Sequence, residues 1–412
     1  MIKYEKFVLQ NGLKVIVHQD KSTPLACINI LYNVGSRDEN SEQTGFAHLF
    51  EHLMFGGSIN IPSYDEPLQM VGGENNAFTT NDITNYYLTL PSDNLETGFW
   101  LESDRMLSLA FSEKSLEVQR NVVIEEFKQR YLNQPYGDVW LLLRPMAFKV
   151  HPYQWDTIGK EISHIENAKM DDVKNFFKKF YCPNNAIMVV AGNVEAEEVK
   201  KLSEKWFAPI PKGPDNKRNL PQEPAQTEAR ILSVDRDVPV DAIYKAYHMC
   251  SRYDKEYYSV DLISDILSRG NSSRLYNALI KEKKIFSDLN AYVMGEFDKG
   301  LFVISGKLSK GVSMEEADKA IDIELQKIKT DFVTVDELTK VKNKIEASHV
   351  FGEVEVLNKA TNLAVAELLG DAEIVNQEVE KYLAVTAEQI KEQANSIFRK
   401  ENCSTLYYNT KK

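Results

Sequence analysis

Positive charge is what this chain is short of. Its 412 residues carry 49 Lys and Arg against 61 Asp and Glu, a formal net charge of −12. Without a basic surplus to neutralise phosphates, nucleic acid is excluded as the main partner. Cysteine is equally sparse. Cys27, Cys182, Cys250 and Cys403 are scattered with no C-x-x-C pair, so free, buried thiols in a reducing compartment are expected. No apolar run approaches the ~20 residues that cross a bilayer. The opening Met-Ile-Lys-Tyr-Glu-Lys-Phe lacks a basic segment followed by an apolar one, so no signal peptide is read and the cytoplasm is the expected location. What remains is a globular composition, 43% hydrophobic and 27% charged, on a chain too long for one ordinary core.

Histidine is also scarce, with 7 in the chain, yet two of them fall within His48-Leu49-Phe50-Glu51-His52. On a helix the positions i, i+3 and i+4 share one face. Two imidazoles one turn apart can hold Zn²⁺, and a carboxylate between them can take a proton from water. The flanking Phe46, Ala47, Leu49, Phe50, Leu53, Met54 and Phe55 predict a buried helix. A lone His on such a face is usually a hydrogen-bonded core residue. Two His and a Glu on one buried turn are costly unless satisfied, and a metal satisfies all three.

Around this stretch the chain alternates between strand and helix patterns. A hairpin is expected over Lys3–His18, turning at Asn11-Gly12, then a strand at Ala26–Val34 and the metal helix over Ser41–Phe55, ended by Gly56-Gly57. A strand at Asn85–Leu90 precedes helices at about 94–109 and 113–132. A strand at Ala186–Ala191 and a helix at about 195–206 close the first half. Prolines 209, 211, 214, 221 and 224 then mark a linker, dividing a domain at 1–208 from one at 230–412 across 209–229. A faint repeat spans the linker. Phe180-Tyr-Cys-Pro-Asn184-Asn185 aligns without gaps on Phe398-Arg-Lys-Glu-Asn402-Cys403, and Ser36-Arg37 on Ser251-Arg252. This register sets His48, Glu51 and His52 opposite Ile263, Ile266 and Leu267. The expected fold class is α+β: two homologous half-domains, each a mostly antiparallel sheet with helices packed on one side.

A catalytic zinc site usually takes three protein ligands. The richest place for the third is Gln119-Arg-Asn-Val-Val-Ile-Glu125-Glu126. Helical periodicity puts Gln119 and Glu126 on one face and Glu125 about 100° away. The pattern alone leaves both acids open.

Three stretches carry a resemblance. His48-x-x-Glu51-His52, Gly72-Gly73-x-x-Asn76-Ala77-Phe78-Thr79 with Thr84-x-Tyr86-Tyr87, and Arg120-Asn-Val-Val-Ile-Glu-Glu126 together resemble the pitrilysin/insulinase family of inverted-motif zinc metallopeptidases. The small two-domain branch related to mitochondrial processing peptidase is the most similar. The resemblance implies one Zn²⁺ per chain, held by His48, His52 and Glu126. Glu51 would be the general base that activates the zinc-bound water. Asn76, Ala77 and Phe78 would lie on an edge strand that pairs with extended peptide substrate. A second acid often stands seven residues before the third ligand in the family. Here it is Gln119, which would accept an imidazole N–H without charge.

Many relatives also carry an Arg and, seven residues later, a Tyr in the second half. Here Ile280 and Ser287 occupy those places, with Arg274, Tyr276 and Tyr292 as possible substitutes. Two-domain members work as dimers, so the expectation is a zinc endopeptidase subunit, in a homodimer or beside a related chain that supplies the pair. The alternative is a non-catalytic structural subunit. Such relatives would be expected to lose metal residues, and all of them are present here.

Overall fold

A computed structural model of the chain describes residues 1–411. The first sheet comprises β1 (Glu5–Val8), β2 (Lys14–Gln19), β3 (Leu25–Tyr32), β4 (Glu74–Thr79), β5 (Thr84–Pro91) and β6 (Ala186–Gly192). The second comprises β7 (Arg230–Arg236), β8 (Ala242–His248), β9 (Phe286–Met294), β10 (Leu301–Leu308) and β11 (Cys403–Thr410). In the first half the helices are α1 (Phe46–Leu53), α2 (Asp65–Met70), α3 (Leu95–Leu107), α4 (Glu113–Phe127), α5 (Val139–Ala147), α6 (Ile162–Glu166), α7 (Met170–Phe180) and α8 (Ala196–Trp206). In the second they are α9 (Tyr257–Ser268), α10 (Met314–Thr330), α11 (Val335–Gly352), α12 (Val356–Leu368), α13 (Ile374–Leu383) and α14 (Ala387–Ile397). Residues 209–229 form neither helix nor strand. The four cysteines are free thiols, and among the described residues no helix is long and apolar enough to cross a membrane.

The two sheets repeat one plan. Their orders are β1-β2-β6-β3-β5-β4 and β7-β11-β8-β10-β9. In each, a late strand runs parallel to the first strand of its repeat (β6 on β2, β11 on β7) and antiparallel to the next (β3, β8). The expected hairpin forms between β1 and β2. Its Gly12 has φ +91°, and a Cβ there would stand 2.8 Å from that of Asn184, so only glycine fits. A polar device is duplicated as well. Asn185 Nδ2 donates to Phe180 O at 2.8 Å and to Asn33 O at 3.1 Å. Asn402 Nδ2 donates to Ile397 O and His248 O, both at 2.9 Å. The gapless alignment pairs Asn184 with Asn402. The hydrogen bonds pair Asn185 with it, one residue later.

The sequence placed each half's helices on one side of its sheet. In the first sheet both faces are covered. A Cβ on Gly98 of α3 would lie 2.7 Å from Ile28 Cδ1 and 3.0 Å from Leu88 Cδ1, so α3 covers the Ile28 face. The neighbouring side chain, Asn29, points the opposite way and accepts from Thr361 of α12 at 3.3 Å. Helix α12 packs on β3 and β6, which is why β3 and β6 are buried almost throughout. The second sheet is treated alike. Ile243, Tyr247 and Phe302 join α9, α10 and α14 in one core, while Ala242, Ala246 and Val303 join Val139, Leu143 and Ala147 of α5 in another. Each sheet thus takes one helix from the other half of the sequence. The compact units are accordingly discontinuous: residues 1–128, 155–220 and 350–377, and residues 129–154, 221–349 and 378 onward.

Candidate metal centre

The histidines stand on α1, which is shorter than the Ser41–Phe55 stretch read from sequence. It starts at Phe46 because Gly45, the N-cap, has φ +89°. A Cβ at Gly45 would lie 2.7 Å from Ile158 O. Two N–H groups at this helix end, which have no partner within the helix, are taken by Glu39, whose carboxylate accepts from Gly45 N at 2.9 Å and Ala47 N at 2.8 Å. Trp155 Nε1 donates to the same carboxylate at 3.1 Å. Burial pushes the Glu39 carboxyl up to about 8, against the pull of these N–H donors. Phe46, Ala47, Leu49, Phe50 and Leu53 are buried, with Phe50 stacked on Tyr181 at 5.0 Å between ring centroids. His48, Glu51 and His52 are half-exposed on the remaining face.

Helix α4 faces them. Its N-cap Ser112 accepts from Ser115 N at 3.0 Å, and Leu116, Val123, Ile124 and Phe127 are buried. The structure chooses between the two acids left open by the pattern. Glu125 is exposed and bonded to Lys128 at 2.7 Å. Glu126 turns inward, its Oε2 lying 3.7 Å from His48 Nε2 and 3.4 Å from His52 Nε2. Candidate ligand atoms of all three lie within 4.8 Å of one another. Ligands about 2.0–2.1 Å from a tetrahedral ion stand roughly 3.4 Å apart, so two imidazoles and a carboxylate at these separations fit zinc in both chemistry and spacing. Gln119 lies two turns before Glu126, half-exposed.

Strand β4 borders the cluster as the edge of its sheet, paired only with β5. Asn76, Ala77 and Phe78 sit on it. Ala77 N–H bonds to Asn76 Oδ1 at 2.8 Å, which places it on the open side, away from β5. Thr79, the last residue of β4, donates from Oγ1 to Glu51 Oε2 at 2.5 Å. The turn beyond is fixed by buried polar groups. Arg37 pairs with Asp82 at 2.8 Å, Asn81 Nδ2 donates to Ser36 Oγ at 2.8 Å, and Trp155 Nε1 donates to Ser36 O at 3.0 Å. Through Trp155 and Glu39 this set reaches the start of α1. Sequence reasoning missed Glu39 and Trp155, which no local pattern marks. Thr79 falls within the substrate-strand motif, whose pattern gives it no role of its own.

Among the described residues the second half has no equivalent cluster. Helix α9, between β8 and β9 as α1 is between β3 and β4, carries Ile263, Ile266 and Leu267, all buried. Ile280 packs against the second core, and Ser287 Oγ bonds to Lys307 O at 3.2 Å. Arg274 is held by both oxygens of Glu337 at 2.7 and 2.9 Å. Tyr292 is half-buried among the residues that pack on α5.

Among the described residues, the duplicated sheet-and-helix fold carries a His/His/Glu cluster in its first copy alone. Residues 14–150 match the model of the insulinase family, peptidase family M16, and residues 167–345 match that of the peptidase M16 inactive domain. The chain belongs to peptidase family M16. It is 29% identical over 411 residues to the zinc protease PqqE of Helicobacter pylori, covering 98% of this chain and 92% of the relative. It is 25% identical over 354 residues to a probable mitochondrial-processing peptidase subunit beta of Arabidopsis thaliana, covering 82% and 66%. The crystal structure of a protease from Helicobacter pylori superposes with a TM-score of 0.93 at 28% identity, covering 99% of this chain and all of the other.

Proposed function

We propose that the chain is a zinc-dependent endopeptidase acting on peptides or unfolded polypeptide segments. The observation that carries this reading is the approach of Glu126 Oε2 to within 3.4 and 3.7 Å of the two imidazoles, with Glu51 on the same turn. His48, His52 and Glu126 would hold the ion. Bound there, zinc supplies a Lewis acid that acidifies water and polarises a carbonyl. Glu51 takes a proton from the attacking water and returns it to the leaving amine. The open edge of β4 holds the peptide extended by main-chain pairing, which asks little of its side chains. Ile280 and Ser287 support the further reading that this is the metal-bearing subunit of a dimer, either a homodimer or a heterodimer with a related chain that supplies the Arg and Tyr this one lacks.

The test is zinc content together with cleavage of a quenched peptide, with and without a related second chain. Glu51→Gln should keep zinc and lose at least about a hundredfold in turnover, the scale of a positioned general base. Cleavage persisting in Glu51→Gln removes Glu51 from its role. Equal rates for the chain alone and for the mixture remove the need for a second chain.

A further inference from the structure

The geometry points to Thr79 as the positioning residue of Glu51, through which a peptide laid along β4 sets the base. The inference rests on the peptidase reading above. Thr79 Oγ1 donates to Glu51 Oε2 at 2.5 Å, a charge-assisted bond of the short, strong kind. The donor is well suited to aiming a flexible carboxylate. Threonine is stiff at χ1, so its hydroxyl points where the backbone of β4 directs it. That backbone is secured beyond Thr79. Thr80 Oγ1 accepts from Asp82 N and Ile83 N, both at 3.1 Å, and Asp82 is paired with buried Arg37. Before Thr79 the strand has a neighbour on one side only.

The consequence is a link between binding and chemistry. A peptide pairing with the open edge supplies the missing neighbour along the six residues of β4 and restrains the strand that carries the Thr79 hydroxyl. Binding energy gained away from the scissile bond then appears in kcat rather than in KM. Substrates long enough to cover β4 turn over faster, not merely bind more tightly.

The experiment compares the full-length chain with Thr79→Val, which has nearly the same shape without the hydroxyl, and Thr79→Ser, which keeps it. Each is assayed on a peptide long enough to cover β4 and on one truncated to leave it bare. Peptide affinity is also measured on the zinc-free proteins by fluorescence anisotropy. Thr79→Val should keep its zinc and its affinity within twofold, and lose about 10–100-fold in kcat on the long peptide, the range for a hydrogen bond to a charged group. Its kcat ratio between long and short peptides should fall to about one, and Thr79→Ser should recover most of both. Unchanged kcat in Thr79→Val, a loss confined to KM and affinity, or no rescue by serine each overturns the inference. Crystal structures separate its failure from that of the peptidase reading. If wild type cleaves nothing, a Glu51 carboxylate displaced in Thr79→Val and restored in Thr79→Ser still supports the positioning role. A carboxylate unmoved in Thr79→Val overturns it.

Discussion

Helix α12 belongs to the second half of the sequence and packs on the first sheet, so a lesion in it should be felt by β3 and β6 of that sheet. Leu363 on α12 is fully buried. Replacing it with alanine removes buried methyl groups and leaves a cavity, at a cost of about 3 kcal/mol for an enclosed leucine. At 1.4 kcal/mol per decade, that is about a hundredfold in a local opening equilibrium. The assay is hydrogen–deuterium exchange read by peptide fragments. Leu363→Ala should speed exchange in β3 and β6 by about two orders of magnitude and leave β8 and β11 nearly unchanged. The reciprocal variant sharpens the test. Leu143 on α5 is equally buried, in a cluster with Ala242, Ala246 and Leu406 of the second sheet. Leu143→Ala should speed β8 and β11 while sparing β3 and β6. If either variant loosens the sheet of its own half instead, the exchange of helices is refuted.

Glu126→Gln should weaken zinc binding more than about a hundredfold, measured by chelator competition, since even residues that merely orient a ligand contribute about 10–100-fold. Glu125→Gln, one residue away and bonded to Lys128, should change it little. Glu39 predicts a pH effect on stability. Burial raises its carboxyl from 4.5 to about 8, so the folded chain holds this proton more tightly than the unfolded one. The stability linked to that proton is fully present below pH 4.5 and falls as pH rises through about 8. Glu39→Gln cannot ionise, so urea midpoints of the metal-free variant should vary less with pH across this window than those of wild type. Equal slopes would remove the assignment.

Sequence alone reached furthest where chemistry and period coincide. His48, Glu51 and His52 lie on one face by spacing, and α1 presents them so. The run read as a helix from Glu113 to Leu132 is α4 followed by a turn of π-helix at Lys128–Leu132. Glu126 and Glu125 could not be separated by period, because the answer depends on where α1 stands, and that is a tertiary fact. The sequence predicts a start for this helix at Ser41, whereas α1 begins at Phe46, since Glu39, six residues before Gly45, bonds the N–H groups there without any local signature. The exchange of α5 and α12 was not legible for a related reason. An apolar stripe says that a helix face is buried, never against which sheet. The repeat was visible, but its register slipped by one residue. The asparagine that recurs is recognised by the carbonyls it holds, not by its neighbours in sequence.

What duplicates in this chain is the scaffold, and what does not is the chemistry. Both halves keep the sheet order and the asparagine between late helix and strand. In place of the His48, Glu51 and His52 stripe of α1, α9 carries Ile263, Ile266 and Leu267, three residues buried in the second core. Restoring histidines there would bury polar rings without partners, a change that costs stability before it offers a site. Yet the second half is not expendable. The Asn29 face of β3 would meet water without α12, and with it Asp20 loses Lys359, while Lys6 and Lys14 lose Glu367. The half without a metal cluster thus supplies one wall of the core beside the half that has one. That physical dependence is reason enough for the two to remain on one chain.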